Sequence, residues 1–487
     1  MTKAEMETAL VTSAQADANT VSTHGWDTVF AIPAKDVNQA IIDQKSSPPS
    51  FDYSDSSSRL NADFGDWQIT QGGDGKNIRL AIPLKNLQLH YLSTGKVVTV
   101  KSATAVAEIE LEYLPHTPAV AAAGSDDADT GTLMALKPKL TSDEPTAPVF
   151  DVVTVIYPDD ETIGLVSKAV IQATFQEWGN ANLRVFDHVF SVVDLNRRVD
   201  QGEWAFVTPH ETSYAYLDIG DSVDTSLFGV LTMTGDRSGD TNNAQIAYDA
   251  IPSGSVAGFL ISQARTLNDL IRPAIMQAYP GLTDENFQLN ASQDALFLTN
   301  GAVVDLAPVH HHGSTYHPKL TRMKVSALGT LLTMTSHTET KIVDGITAEC
   351  EATHWYVLEL GQSKNGQTIK FRQFQPPVIK HTINQSKGSQ ITQLIIAIVA
   401  SVALLILAVL TDGTALIVGG LVIGLLLGAD KIVPALIEKA NEDDSPALDL
   451  LRINAVDPIR WPNSGQFSLD YASLNMSLQL GGNPNFV

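Results

Sequence analysis

NIRLAIPLKNLQLHYL (residues 77–92) and VVTVKSATAVAEIELEYL (residues 97–114) decide the fold class. Apolar and polar side chains alternate along both stretches, so the pattern repeats every two residues. This period predicts two β-strands that each have one face in a core and the other in water. The glycine-rich QGGDGKN (residues 71–77) predicts a turn between the first strand and the one before it. An antiparallel sheet follows from this pattern.

Further strands are predicted on both sides of this pair. FDVVTVIYP (residues 150–158) has the composition of a buried strand, and residues 185–193 and 204–219 are also strand-like. Alternation returns over residues 321–383, which predicts long strands joined by a turn at residues 343–345.

Three other stretches have apolar residues at helical spacing. They are TVFAIPAKDVNQAIIDQ (residues 28–44), DDETIGLVSKAVIQATFQEWGN (residues 159–180) and GSVAGFLISQARTLNDLIRPAIMQAYPG (residues 254–281). We predict a helix for each, with a kink at Pro273 in the last. A helix followed by a meander thus recurs along the chain. This order favours an α+β fold in which antiparallel sheets wrap around long amphipathic helices.

Composition excludes several classes of partner. The chain of 487 residues carries 31 Lys and Arg against 54 Asp and Glu, a formal charge of −23. Such a chain lacks the basic surface that neutralises nucleic-acid phosphates, so we expect no nucleic-acid partner.

One cysteine, Cys350, excludes an intramolecular disulfide. Residues 1–22 lack the apolar stretch of a signal peptide and predict a flexible leader. We therefore expect synthesis in the cytoplasm, with a non-Sec route as the alternative for release.

Motifs for catalysis and for cofactors fail when their spacing is checked. Lys76 follows a glycine, but the other residues of a phosphate-binding loop are missing. His210-Glu211 begins like a zinc-protease helix, yet Tyr214 stands where the second histidine is required. The run His310-His311-His312 favours a surface loop over a metal site. The sequence therefore predicts no enzyme, no cofactor and no metal.

An apolar pair of segments interrupts the C-terminal part of the chain. LIIAIVASVALLILAVL (residues 394–410) and ALIVGGLVIGLLLGA (residues 415–429) flank a short TDGT turn, which predicts a helical hairpin inside an insertion at 389–440. The runs contain 17 and 15 residues, whereas a membrane-spanning helix needs about 20. Two interpretations stay open: a hairpin that inserts into membranes, and a helix pair packed inside the protein or an oligomer.

The hairpin supplies the candidate residues for contact with lipid. They are its large apolar side chains: Leu394, Ile395, Ile398, Val399, Leu404, Leu405, Leu416, Ile417, Val422, Leu425 and Leu426.

Four motifs, in order along the chain, resemble a known family. They are THGWDTVFAIPAKDVNQAI (residues 23–41), FDHVFSVVDLN (residues 186–196), AGFLIS (residues 257–262) and IRWPNSGQFSLDYASLNMSLQLGG (residues 459–482). Together they resemble the tubular-lipid-binding (TULIP)-like accessory proteins encoded beside botulinum neurotoxin genes, namely the 47-kilodalton protein and its OrfX relatives.

This resemblance implies an elongated TULIP-like fold, in which strongly curved antiparallel sheets wrap around a long helix. It implies one module over residues 23–487, made of two helix-plus-meander halves at about 23–250 and 251–487. It also implies lipid binding, affinity for phosphoinositides, and a role beside a toxin or in an insecticidal system. The motif residues Trp26, Asp27, Phe259 and Trp461 would be structural, with Asp27 tying the first helix.

Three functions follow as hypotheses. The first is a binding module whose curved sheet leaves an apolar groove for a lipid or a partner such as a toxin. The second is a membrane-active component of a toxin or insecticidal system that uses the 394–429 hairpin. The third is a scaffold protein without a lipid ligand. The sequence leaves oligomerisation open.

Overall fold

A computed structural model describes residues 20–117, 131–143, 147–159, 162–197, 204–220, 222–278, 282–299, 301–306, 308–311, 313–363, 366–383, 408–411, 414–417 and 451–486. Most of the predicted leader lies outside these ranges. Its last residues are part of the fold, because Val21 is buried and its N–H donates to the Asn475 carbonyl at 3.0 Å.

Strands dominate the described residues. The first twelve are β1 (Thr28–Pro33), β2 (Ser50–Ser54), β3 (Ser58–Phe64), β4 (Gln68–Gly75), β5 (Asn77–Tyr91), β6 (Val97–Pro115), β7 (Thr132–Pro138), β8 (Phe150–Ile156), β9 (Ser191–Leu195), β10 (Pro209–Leu217), β11 (Leu227–Thr234) and β12 (Ala257–Ile261). The others are β13 (Phe287–Leu289), β14 (Ala295–Leu298), β15 (Val304–Asp305), β16 (Val309–His311), β17 (Ser314–Tyr316), β18 (Pro318–Leu328), β19 (Leu331–Val343), β20 (Ile346–Ser363), β21 (Gly366–Ile383), β22 (Ala408–Thr411), β23 (Thr414–Ile417), β24 (Ile459–Arg460), β25 (Ser468–Asn475) and β26 (Ser477–Asn483).

Two large antiparallel sheets organise the described part of the chain. The first has 15 strands, with the main order β24-β9-β7-β6-β5-β4-β10-β11-β1-β12-β26-β25. The second has seven, with the main order β13-β14-β18-β19-β20-β21. The alternation that predicted β5, β6 and β18 to β21 is confirmed, as is the turn between β19 and β20. The two sheets do not correspond to the predicted halves at about 23–250 and 251–487, because β12 and β24 to β26 belong to the first sheet. The division into halves stays a prediction.

Helices are shorter than the sequence predicted. The three longest are α1 (Ala34–Asp43), α2 (Leu165–Asn182) and a composite helix α3, which joins α-helical Gln263–Arg265, π-helical Thr266–Ile271 and α-helical Arg272–Ala278.

The prediction was wrong for the first part of two helices. Residues 28–33 and 257–261 form β1 and β12, which pair with each other inside the first sheet, between β11 and β26. All residues of β12, and all of β1 except Pro33, are buried, because a core covers each face of the sheet. A strand that is apolar on both faces shows no alternation, so its period does not distinguish it from a helix.

Helix α2 lies against both edges of the part of the first sheet whose strand order is β2-β3-β5-β6-β8. Phe51 of β2 and Phe150 of β8 both contact Phe175 of α2, with ring centroids 5.2 and 5.6 Å apart. The helix begins at Leu165, six residues later than the stretch predicted for it. Val166, in its first turn, is 73% exposed.

Amide side chains spaced four residues apart on α2 cover the outer edge of β8. Gln172 Nε2 donates to the Val152 carbonyl at 2.7 Å, and Gln176 Oε1 accepts from the Val152 N–H at 3.1 Å. Asn180 accepts from the Phe150 N–H at 3.2 Å and donates to the Phe150 carbonyl at 2.8 Å. Because an open edge can pair with another chain, these bonds protect β8 from such pairing.

Replacing Asn180 by alanine should lower the free energy of unfolding by about 1–3 kcal/mol, because backbone groups of Phe150 would lose their partner. Denaturant unfolding followed by circular dichroism measures this change. Gln39→Ala is the control, since that amide bonds Asp43 on the surface and should contribute less than about 0.5 kcal/mol. Equal losses in the two variants would contradict the role of Asn180.

The predicted helical hairpin is only partly within the described residues. At its tip the backbone does reverse where TDGT stands, but residues 408–411 and 414–417 are the strands β22 and β23 and not helix. Strand β23 lies beside the last segment of α3.

Over the described ranges, no helix combines the length and apolarity that crossing a membrane requires.

Candidate functional site

Two neighbouring cavities lie at the seam between the sheets. The inner cavity, of about 220 Å³, is bounded by Phe259 of β12 and Leu480 of β26 from the first sheet and by Gln367 of β21 from the second. The outer cavity, of about 410 Å³, lies beside β24. Val456 and Phe467 line both cavities, so the two adjoin, and together they are called here the seam cavity.

Aromatic rings form one wall of the seam cavity. Phe30 of β1 is the central ring, with centroids 5.8 Å from Phe259, 5.6 Å from Trp461 and 5.6 Å from Phe467. All three contacts are edge-to-face, the arrangement that aromatic pairs prefer, and they fix the rings in position. The wall is therefore a preformed apolar surface.

The inner cavity combines an apolar side with the polar residues Gln367, Arg452, Gln466 and Ser468. Besides the shared residues, Leu451, Leu469 and Leu480 line it. Gln367 Nε2 donates to the Leu469 carbonyl at 3.2 Å, which ties the second sheet to the edge of the first beside the cavity. The apolar side of this cavity, formed by the leucines and the aromatic wall, suits an apolar ligand or part of one.

Charged side chains surround the outer cavity. Arg197, Arg460 and Asp457 line it, and Asp457 forms an ion pair with Arg452 at 2.7 Å. Burial raises the pKa of the Asp457 carboxyl, and Arg452 opposes this shift. Burial also raises the pKa of Asp194 in β9, the strand that pairs with β24. The hydrogen bond from the Gly131 N–H and the charges of Arg197 and Arg460 oppose this shift.

One polar atom in the wall of the outer cavity has no partner in the described structure. Trp461 is 4% exposed, and its indole N–H makes no hydrogen bond to any described residue. A buried donor in this state is unfavourable by about 1–3 kcal/mol unless water or a ligand accepts from it.

A third cavity, of about 330 Å³, is lined by Glu108, Glu110, Asp143 and Asp151. Lys139 lies among them and pairs with Glu110 at 3.0 Å and also with Asp143. No cluster of three or more metal-ligating side chains occurs in the part of the chain that the structure describes. The predicted absence of a metal stays a prediction.

The structure brings two of the predicted residues to the seam cavity and leaves the others elsewhere. Phe259 and Trp461, predicted as structural, line it. Trp26 lies in the core on the other face of the first sheet. In the hairpin, Leu416 and Ile417 fall in β23. The remaining candidates lie outside the described residues: Leu394, Ile395, Ile398, Val399, Leu404, Leu405, Val422, Leu425 and Leu426.

Asp27 joins strands instead of tying the first helix, which begins at Ala34. Its carboxylate accepts from the Thr234 N–H at 2.8 Å and from the Thr234 hydroxyl at 2.9 Å, and it pairs with Arg237. Its own carbonyl accepts from the Ser262 N–H at 2.8 Å. Asp27 therefore ties together the ends of β1, β11 and β12.

The antiparallel α+β fold has solved counterparts. P47 from Clostridium botulinum A2 matches 97% of this chain and 100% of its own, with a TM-score of 0.61 at 15% identity. P47 of Clostridium botulinum E1 matches 96% and 100%, with a TM-score of 0.59 at 16% identity. The chain thus has the fold of the P47 proteins.

Sequence comparison gives the family. The OrfX-like family, described as Protein OrfX2/OrfX3/P47, matches residues 23–482. Protein OrfX3 of Paraclostridium bifermentans is 35% identical, and Protein OrfX3 of Clostridium botulinum (strain Kyoto / Type A2) is 31% identical. Each alignment covers 95% of this chain and 98% of the relative. The chain belongs to the OrfX-like family, which confirms the resemblance carried by the four motifs.

Proposed function

We propose that this protein is a non-enzymatic toxin-accessory protein that binds a lipid-like ligand in the seam cavity. The observation that carries the proposal is the inner cavity, where Leu451, Leu469 and Leu480 face a fixed aromatic wall. Apolar surface of this kind gains about 25 cal/mol for each Å² that a ligand removes from water. Membership of the OrfX-like family supports the accessory role.

The ligand-binding part is tested with N-phenyl-1-naphthylamine, a neutral probe that fluoresces in apolar sites. We expect the full chain to bind it saturably. Leu469→Trp should weaken binding about tenfold or more, because the larger ring fills the inner cavity. Leu289→Trp is the matched control, since this partly buried leucine lies in β13 and does not line the cavity.

Unchanged binding in the Leu469→Trp variant, with its thermal unfolding intact, would refute the seam cavity as the site. Absence of binding by the unmodified chain would refute the ligand-binding function and leave the scaffold hypothesis.

Action at a membrane is tested separately by flotation with liposomes. The experiment compares neutral, phosphatidylserine and phosphoinositide lipids, for the full chain and for a version without residues 394–429. Binding to phosphoinositide that survives the deletion would support a headgroup site despite the charge of −23. Binding lost with the deletion would favour the membrane-inserting hypothesis.

A further inference from the structure

We propose that the seam cavity binds a single-chain amphiphile with an anionic head. The apolar chain would lie in the inner cavity, and Arg197 and Arg460 would hold the head in the outer one. This inference rests on the proposed function and adds the chemical class of the ligand.

Volume favours one chain over two. The inner cavity measures about 220 Å³, which is below the range of roughly 300–1,000 Å³ that pockets for drug-sized ligands occupy. One acyl chain suits this volume better than two, and the outer cavity adjoins the inner one at Val456 and Phe467. The head then lies in the outer cavity, of about 410 Å³.

Charge favours an anionic head. Arg452 is engaged by Asp457 at 2.7 Å, and Asp194 accepts from the Gly131 N–H at 3.0 Å. Among the described residues, neither Arg197 nor Arg460 has a carboxylate within 4.0 Å. Arg197 and Arg460 thus line the outer cavity without an ion pair to any described carboxylate, in a chain whose formal charge is −23. A guanidinium matches a carboxylate or a phosphate with two parallel hydrogen bonds.

The experiment compares dodecanoate, dodecyl phosphate and dodecanol as competitors of N-phenyl-1-naphthylamine, because they share one chain and differ in the head. We expect both anions to bind at least about tenfold more tightly than dodecanol. The double variant Arg197→Gln/Arg460→Gln should lose this preference and keep its affinity for dodecanol. Arg184→Gln, at an exposed arginine on the segment after α2, is the control and should keep the preference.

The outcomes separate this inference from the proposed function. Equal binding of dodecanol and the anions, or an anion preference that survives the double variant, would overturn the anionic head and leave a lipid-like ligand in the cavity. Failure of all three compounds to compete would overturn the proposed function itself. Competition by inorganic phosphate at the concentrations at which dodecyl phosphate competes would also overturn the inference, since the dodecyl chain would then contribute nothing to binding.

Discussion

Replacing Asp27 by alanine is expected to destabilise the protein by about 1–3 kcal/mol, the usual result of leaving a buried hydrogen-bond donor without its acceptor. The Asp27 side chain is 5% exposed and accepts from both donors of Thr234. Its removal leaves the Thr234 N–H and hydroxyl without that acceptor and leaves Arg237 without its counter-ion. Because these groups join the ends of three strands, the loss should appear in global unfolding.

Denaturant unfolding of Asp27→Ala beside Asp52→Ala measures this effect. Asp52 also pairs with an arginine, Arg59, but both side chains are about half exposed. An exposed pair contributes only about 0–1 kcal/mol, so the second variant should unfold close to the unmodified chain. Similar losses in the two variants would show that burial does not decide the contribution of Asp27.

Acid should destabilise the protein through His188. This side chain is fully buried, its Nδ1 lies 2.8 Å from the Ser46 hydroxyl, and its Nε2 has no partner among the described residues. Burial lowers its pKa from 6.5 to about 4, and the charge of Asp187 opposes this shift. The folded protein therefore keeps the imidazole neutral, whereas the unfolded chain takes up a proton below about pH 6.5. Stability is complete above that pH and declines as the pH falls towards 4.

The expected loss is roughly 3 kcal/mol between pH 7 and pH 4, at 1.36 kcal/mol for each unit of pKa. The free energies of unfolding of the unmodified chain and of His188→Gln, measured across this range, isolate the contribution. Between pH 7 and pH 4, the free energy of unfolding of the unmodified chain should fall by roughly 3 kcal/mol more than that of His188→Gln. His210→Gln, at an exposed histidine, should keep the unmodified pH dependence. A constant difference between His188→Gln and the unmodified chain would contradict the assignment.

Sequence reasoning succeeded where one face of a strand is wet. β5 and β6 alternate because their outer faces meet water, so the period of two is visible in the residues themselves. It failed for β1 and β12, whose alternate side chains enter two different cores. Their burial depends on strands distant in the chain, which no local period reports.

The seam cavity was only partly predictable. Phe259 and Trp461 were singled out as motif residues, but their contact depends on Phe30, which comes from a third motif. Arg197 and Arg460 were missed, because their significance depends on β9 pairing with β24. The one local signal was the Arg-Trp pair in IRWPNSG, a basic residue beside an aromatic one.

The strand order of the first sheet constrains how the chain can fold as it is made. β1 pairs with β11 and β12, and β12 in turn pairs with β26, whose residues leave the ribosome much later. Until β26 arrives, β12 presents a fully apolar strand with one edge open, which is a template for association with other chains. Nascent chains that stall before β26 should therefore depend on chaperones, and release from the chaperone would await the last strands.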